Sequence, residues 1–437
     1  MPRPANAPKA HRPPSYRRQK YRNQVDLAFV EIAPGKRIYL GAYGSAESKQ
    51  EYRRVLETLD LGETPKPPSA LTITVLLDQF DDWARKEYRR ADGSLSPGFK
   101  HIADAIQTML DSPFANLPAS EFSTTHLEDV RDDLLKKGRL ARTTINFRMK
   151  YIRAIFRWAE RKRLVPKGTW EHLKTVQGLK RGRSGARDND PVEPVPQPMI
   201  DAVLPLVPRQ VKALIQLQLL GGYRPGELLK LTSADLGDLS KPLWVVRLND
   251  HKTAHHGYAR TLRFGPRQQA ILREFLTTDR PLDKPLFSPR EADMEYRARK
   301  HAARKTPLSC GTKPKSKKPR IQLGDAYTVS GYRQAIQRAC LMAFPFPPEL
   351  RPEITRVGRR KVRGPLTKEQ EAGRAKWRKD HCWHPHQLRH NYITNNADLY
   401  GIGVIQSIVG HRPGSGITAT YKAENTKAAD DLVMRIG

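Results

Sequence analysis

Six side chains in this 437-residue sequence have chemistry beyond what packing requires. They are Arg224 behind Gly221-Gly222-Tyr223, Lys252, His386 and Arg389 in the run His386-Gln387-Leu388-Arg389-His390, His411 behind Gly410, and Tyr421. A guanidinium fork holds a phosphate through two parallel N–H bonds. An imidazole exchanges protons near neutral pH, and an ammonium can protonate a leaving oxygen. A tyrosine hydroxyl can attack an electrophile and remain bound to it as an ester. Each residue alone also has a plainer reading. Arg224 could cap a helix, His386 to His390 could be an exposed polar helix start, and Gly410-His411 could be a turn. Tyr421 could be an ordinary core or surface residue, and Lys252 is one of 78 Lys and Arg.

The elements expected around these residues give them positions. Val211 to Leu220 reads as an apolar helix stopped by Gly221-Gly222, and Pro225 suits the first position of a new helix over Gly226 to Leu231. Leu243 to Leu248 and Tyr258 to Phe264 read as two strands of a hairpin, with Lys252 in or beside their connection. From His386 to Ile436 the pattern is mostly helical.

In that order and context the runs resemble one family. Gly221-Gly222-Tyr223-Arg224-Pro225-Gly226-Glu227-Leu228-Leu229-Lys230-Leu231, followed by Asp235, resembles the first arginine box of the tyrosine recombinase (phage integrase) family. His386-Gln387-Leu388-Arg389 is similar to its His-x-x-Arg box, and Ile408-Val409-Gly410-His411 followed by Tyr421 to its terminal box. Lys252 matches the family's lysine on a β-hairpin. The resemblance spans about residues 70–437. Two features depart from it: a longer gap from Lys252 to His386, and one residue more than the commonest spacing between His411 and Tyr421. Tyr392 and Tyr400 precede Gly410-His411 and fit the pattern less well.

The resemblance implies a site-specific DNA recombinase or integrase of a mobile element that works through a 3′-phosphotyrosine. Such a covalent detour conserves the energy of the broken strand. Arg224 and Arg389 would clamp the phosphate, where one preorganised donor is worth about 3–4 kcal/mol. Lys252 would protonate the leaving 5′ oxygen, His386 would assist proton transfer at Tyr421, and His411 would hydrogen-bond the phosphate. Glu227, three residues after Arg224, would orient that arginine. The implied partners are double-stranded DNA and further copies of the chain, as a tetramer on synapsed DNA, with Leu432, Val433 and Ile436 in a tail suited to a neighbouring protomer. Two rivals stand beside this reading: a DNA-relaxing type IB topoisomerase, and a non-catalytic basic nucleic-acid-binding protein.

No Asp/Glu cluster at metal-ligand spacing appears, so a two-metal nuclease is disfavoured. His381, Cys382, His384 and His386 suggest zinc by residue type. However, adjacent positions diverge in direction and Pro385 interrupts them, so no metal and no other cofactor is expected.

Composition agrees with a DNA partner. Lys and Arg number 78 against 45 Asp and Glu, a formal net charge of +33, which favours a polyanion. Three cysteines without C-x-x-C spacing suggest a reducing compartment. With no apolar run of transmembrane length and no secretory h-region at the start, the expected setting is cytoplasmic, on the nucleoid and away from membranes.

The expected fold class is multidomain and mainly α with small β-sheets. Residues 1–23 read as a basic disordered arm, and 24–63 as a small β-β-α domain like the arm-binding domains of some integrases. Residues 70–175 read as a helical core-binding (SAM-like) domain, 176–198 as a flexible or extended linker, and 199–437 as a mixed α/β catalytic domain with a basic insertion around 290–380. Trp83, Trp158 and Trp170 are expected to pack helices.

Overall fold

The computed structural model describes residues 13–20, 26–33, 36–61, 71–90, 93–248, 260–277, 280–307, 323–357 and 360–411. Lys252 and Tyr421 lie outside the described residues. The fold is multidomain and mainly helical, with three small antiparallel sheets among the described residues. It divides into two compact units, Met1–Asp190 and Pro191–Gly437. None of the described helices is long and apolar enough to cross a membrane.

In the first unit, β1 (Arg17–Gln19), β2 (Leu27–Ala33) and β3 (Lys36–Ala42) form an antiparallel sheet in the order β1-β2-β3. Helix α1 (Ala46–Asp60) covers it, and Val55 packs against Ala28, Val30, Ile38 and Leu40. Ser45 starts that helix by accepting the Ser48 N–H at 3.1 Å.

Strand β1 is a correction to the expected disordered arm. Arg17 and Arg18 pair with Glu31 and Asp26, so acidic neighbours convert part of a basic segment into an edge strand. The small domain is also not separate from the bundle. Gln19 donates to Asp78 at 3.2 Å, and Arg37 lies 3.4 Å from both Asp78 and Asp82.

The bundle consists of α2 (Ile73–Glu87), α3 (Phe99–Leu110), α4 (Thr124–Lys136), α5 (Arg142–Arg161) and the short α6 (Thr169–Lys174). Apolar residues at helical spacing converge in one core, including Leu76, Phe80, Ile102, Leu127, Ile145, Ile152 and Phe156. Trp83 and Trp158 pack with Phe80, at centroid distances of 5.4 and 5.3 Å. Trp170 instead lies under two cations, Arg157 at 4.8 Å and Lys174 at 4.9 Å.

The run expected to be a flexible or extended linker carries no helix or strand over 176–196 and is held by side chains on both sides. Asn146 exchanges two hydrogen bonds with the Leu179 backbone, at 2.8 and 3.0 Å. Arg142 binds Asp188 at 2.6 Å and donates its backbone N–H to Arg187 O at 2.9 Å. In the second unit Asn391 takes the Val195 N–H at 2.8 Å and donates to its carbonyl at 2.6 Å.

The second unit is built on α8 (Arg209–Gly221), preceded by α7 (Gln197–Val203). Leu214, Ile215 and Leu217 of α8 lie in a core shared with Trp244, Val246, Leu262, Phe264 and Leu388. The expected hairpin is β4 (Trp244–Leu248) paired with β5 (Arg260–Phe264), from Trp244↔Phe264 to Leu248↔Arg260. Helices α9 (Pro225–Leu228) and α10 (Pro266–Arg273) flank this region.

Within the expected basic insertion residues 308–322 lie outside the described residues, and the described part is largely helical and partly core. Helix α11 (Pro289–Ala302) is followed by α12 (Val329–Ala343), whose Tyr332, Ile336, Ala339 and Cys340 are buried. Those residues recur at helical spacing, a signal masked in sequence by the basic runs on either side. A hairpin of β6 (Ile354–Val357) and β7 (Arg360–Arg363) leads into α13 (Lys368–His381), then α14 (Pro385–Tyr400) and α15 (Ile402–Val409).

Candidate active site

The site grows from the end of α8. Gly222 has φ +60°, the left-handed conformation that terminates a helix without a Cβ penalty. A Cβ there would lie 2.5 Å from the Tyr392 ring and 3.0 Å from Val409, so the glycine also permits close approach of α14 and α15. Tyr223 is buried, donates its hydroxyl to Arg263 O and accepts from Gln268 at 2.8 Å. Burial pushes its hydroxyl far above the usual tyrosine range. This anchor fixes the next residue, Arg224.

Arg224 stands immediately before α9, with Pro225 at the first helical position. Glu227 accepts the Arg224 backbone N–H at 2.9 Å and its Nη1 at 2.9 Å. The plain capping reading therefore holds for the backbone of Arg224, and the side chain does more. Its Nη2 reaches the carbonyl of Gly410 at 3.4 Å, across 186 positions of sequence. A quarter of the side chain remains exposed.

Arg389, on α14, is fully buried. Its Nη1 donates to Gly222 O at 2.7 Å, and its Nη2 to Val409 O at 2.7 Å. The same Nη2 lies 2.7 Å from His411 Nε2. The two arginines thus differ in station, Arg224 at the surface and Arg389 behind His411. His411 follows α15, whose end is capped by Gly410 at φ +68°.

His386 sits in the first turn of α14, its ring 5.8 Å from that of His390. Burial lowers its pKa to about 4, helped by the charges of His390, Arg389 and Arg224 among others. Burial and then Arg389, Arg224 and Arg260 lower His411 to about 3. Both imidazoles are therefore held neutral at pH 7 and resist protonation, because burial and the neighbouring cations disfavour the imidazolium form.

Sequence reasoning passed over Arg260. It is buried on β5 and forms a bidentate pair with Glu227, Nε and Nη2 each 2.9 Å from a carboxylate oxygen. Its Nη1 also donates to Ile408 O at 2.7 Å. Burial works against ionisation of Glu227, yet the hydrogen bonds and charge of Arg260, with the charge of Arg224, hold its pKa down to about 2. The signal was available in the strand's alternation: Arg260, Leu262 and Phe264 share the inward face.

The residues considered for zinc turn to different partners. His381 stacks on Trp377 at 3.8 Å, Cys382 hydrogen-bonds Cys340, and the His384 backbone N–H donates to Gln387 at 3.0 Å. Of the rival tyrosines, Tyr392 is half-buried against the Ile393–Val409 cluster and Tyr400 is exposed at the end of α14.

No family profile matches the chain, and no curated protein matches it. Solved structures do. A lambda integrase dimer bound to a COC′ core site is 11% identical, with a TM-score of 0.51 over 96% of this chain and 97% of that one. A lambda integrase tetramer bound to a Holliday junction is 12% identical, with a TM-score of 0.50 over 92% and 93%. A point variant of the Tn1549 transposon integrase (aa 82-397) in complex with a circular intermediate DNA is 14% identical, with a TM-score of 0.50 over 84% of this chain and all of that one. At these identities the likeness is one of architecture, and the chain shares the fold of these lambda and Tn1549 integrase structures.

Proposed function

We propose that the protein is a site-specific DNA recombinase, an integrase of a mobile element, that breaks and rejoins strands through a phosphotyrosine at Tyr421. The observation that carries this reading is the convergence of three distant segments. Arg224, Arg389 and His411 come within hydrogen-bond reach of one another's segments through Gly222, Val409 and Gly410.

The Tyr421 oxygen attacks the scissile phosphorus, forming a P–O bond to the tyrosine while the bond to the 5′ oxygen breaks. His386 assists transfer of the hydroxyl proton to solvent, and the Lys252 ammonium protonates the departing 5′ oxygen. Arg224 offers the exposed fork to the non-bridging oxygens. Arg389 holds His411 against the same phosphate, and its charge adds to the field at the site. A DNA hydroxyl then reverses the step and seals the strand. Because guanidinium groups neutralise the phosphate, the reaction is expected to need no metal and to proceed unchanged in chelator. Strand exchange would proceed on double-stranded DNA in a tetramer of the chain.

A nicked suicide duplex tests the reading. The parent should form a covalent protein–DNA adduct that survives denaturant and persists in EDTA, and Tyr421→Phe should form none. An adduct undiminished in Tyr421→Phe would assign the nucleophile elsewhere, and no adduct with the parent would leave only passive binding. Rapid relaxation of plasmid lacking any recognition site would favour a topoisomerase.

A further inference from the structure

Arg224, Glu227 and Arg260 form one cluster of two guanidiniums sharing a single carboxylate. Arg260 takes both carboxylate oxygens in the bidentate geometry, whereas the Arg224 side chain takes one. The side chains of Arg260 and Glu227 are 3% and 6% exposed, and that of Arg224 is 25% exposed. The more buried pair is therefore Arg260 with Glu227, and Arg224 shares one oxygen of the same carboxylate from the outer side, which leaves the cluster one net positive charge. A cluster of Arg224 and Glu227 alone would be neutral and would offer an anion little. The strapping is also physical: Arg260 holds Ile408 O at 2.7 Å, and a Cβ on Gly410 would come within 2.8 Å of its side chain. One residue thus ties β5 to α9 and to the segment carrying His411.

We infer that Arg260 is a positioning residue that neutralises Glu227, so that Arg224 presents a full positive charge to the scissile phosphate. This rests on the recombinase reading above. It also separates two jobs of Glu227, since the carboxylate orients Arg224 through its backbone and fork without cancelling its charge.

The test uses the full chain and three variants, Arg260→Gln, Arg260→Lys and the double variant Glu227→Gln/Arg260→Gln. In Arg260→Gln the cluster falls from one net positive charge to none, and adduct formation on the suicide duplex should drop by about 10²–10³, the scale of one lost preorganised donor. The double variant restores one net charge and should recover to within about tenfold of the parent, by the same scale. Arg260→Lys keeps the charge but loses the bidentate fork and the bond to Ile408, so it should fall between the parent and Arg260→Gln. A purely structural brace predicts the opposite order, with the double variant as impaired as Arg260→Gln or worse. That order, or an Arg260→Gln rate within about twofold of the parent, overturns the inference. A second readout does not depend on cleavage. The slope of log affinity for a core duplex against log salt should be shallower in Arg260→Gln by about 0.9, one phosphate contact, and should return in the double variant. An unchanged slope counts against the charge role. If the parent forms no adduct, the recombinase reading falls, while the slope still decides whether Arg260 keeps Arg224 cationic.

Discussion

At the scale of single residues, the site keeps its histidines neutral and its carboxylate charged, and this sets how stability responds to acid. His386 and His411 have folded pKa values lowered to about 4 and about 3 from an ordinary value near 6.5. Below about pH 6.5 the unfolded chain takes up protons that the folded site refuses, so stability is full above that pH and falls progressively beneath it. Glu227, lowered to about 2, extends the loss below pH 4.5. Asp78 works in the other direction. Burial and the neighbouring Asp82 raise it to about 6, so it adds stability below its folded value and loses it as pH rises through 6. Two histidines outweigh one carboxyl between pH 7 and 5, so urea midpoints should fall over that range. Substituting His411→Asn should flatten the fall. Equal slopes for parent and variant would mean that His411 is not held neutral.

At the scale of elements, the site is assembled by helix ends and by what holds them. Helix α14 carries His386 and Arg389 on one side, and through Asn391 it grips the backbone of Val195. Removing that amide strands a buried N–H and a buried carbonyl, each costing about 1–3 kcal/mol when left unsatisfied. Asn391→Ala should therefore lower the stability of the second unit by several kcal/mol, read as a fall in the chemical-denaturation midpoint. The run around Val195 should at the same time become a preferred site of limited proteolysis. Unaltered cleavage there would show that Asn391 does not hold it. The Arg and Pro content of 176–198 suggested a flexible or extended linker because composition registers charge and punctuation. It does not register the two asparagines, far away in sequence, that supply the missing backbone partners.

At the scale of the whole molecule, the governing quantity is the charge of +33. If that surplus serves duplex binding, affinity should fall steeply with salt, losing about 10³–10⁵ between 50 and 200 mM for a footprint of about 6–10 phosphates. Fluorescence anisotropy on a nonspecific duplex measures this directly. A slope near zero would mean that the basic surface does not track phosphates. Part of the charge is spent internally, since Arg17, Arg37, Arg142 and Arg260 all bind carboxylates within the chain. Each such pair cancels one positive and one negative charge, so the surplus of +33 is untouched and rests on the remaining Lys and Arg.

Local sequence was enough to specify the mainly helical class, the hairpin from Trp244 to Phe264 and the helix stop at Gly221-Gly222. Those features are written in periodicity and in glycine and proline chemistry. The boxes around Arg224, His386, Arg389 and His411 could be picked out by residue type and order alone, since each is a short local run. The assembled fold alone settles that Arg224 is partly exposed while Arg389 is buried, and that Glu227 answers to Arg260 as well as to Arg224. The reason is physical. A guanidinium has the same composition in either place, and its station depends on which carbonyls and carboxylates other segments bring within 3 Å or so. Those segments meet only when β5, α9, α14 and α15 close around the end of α8.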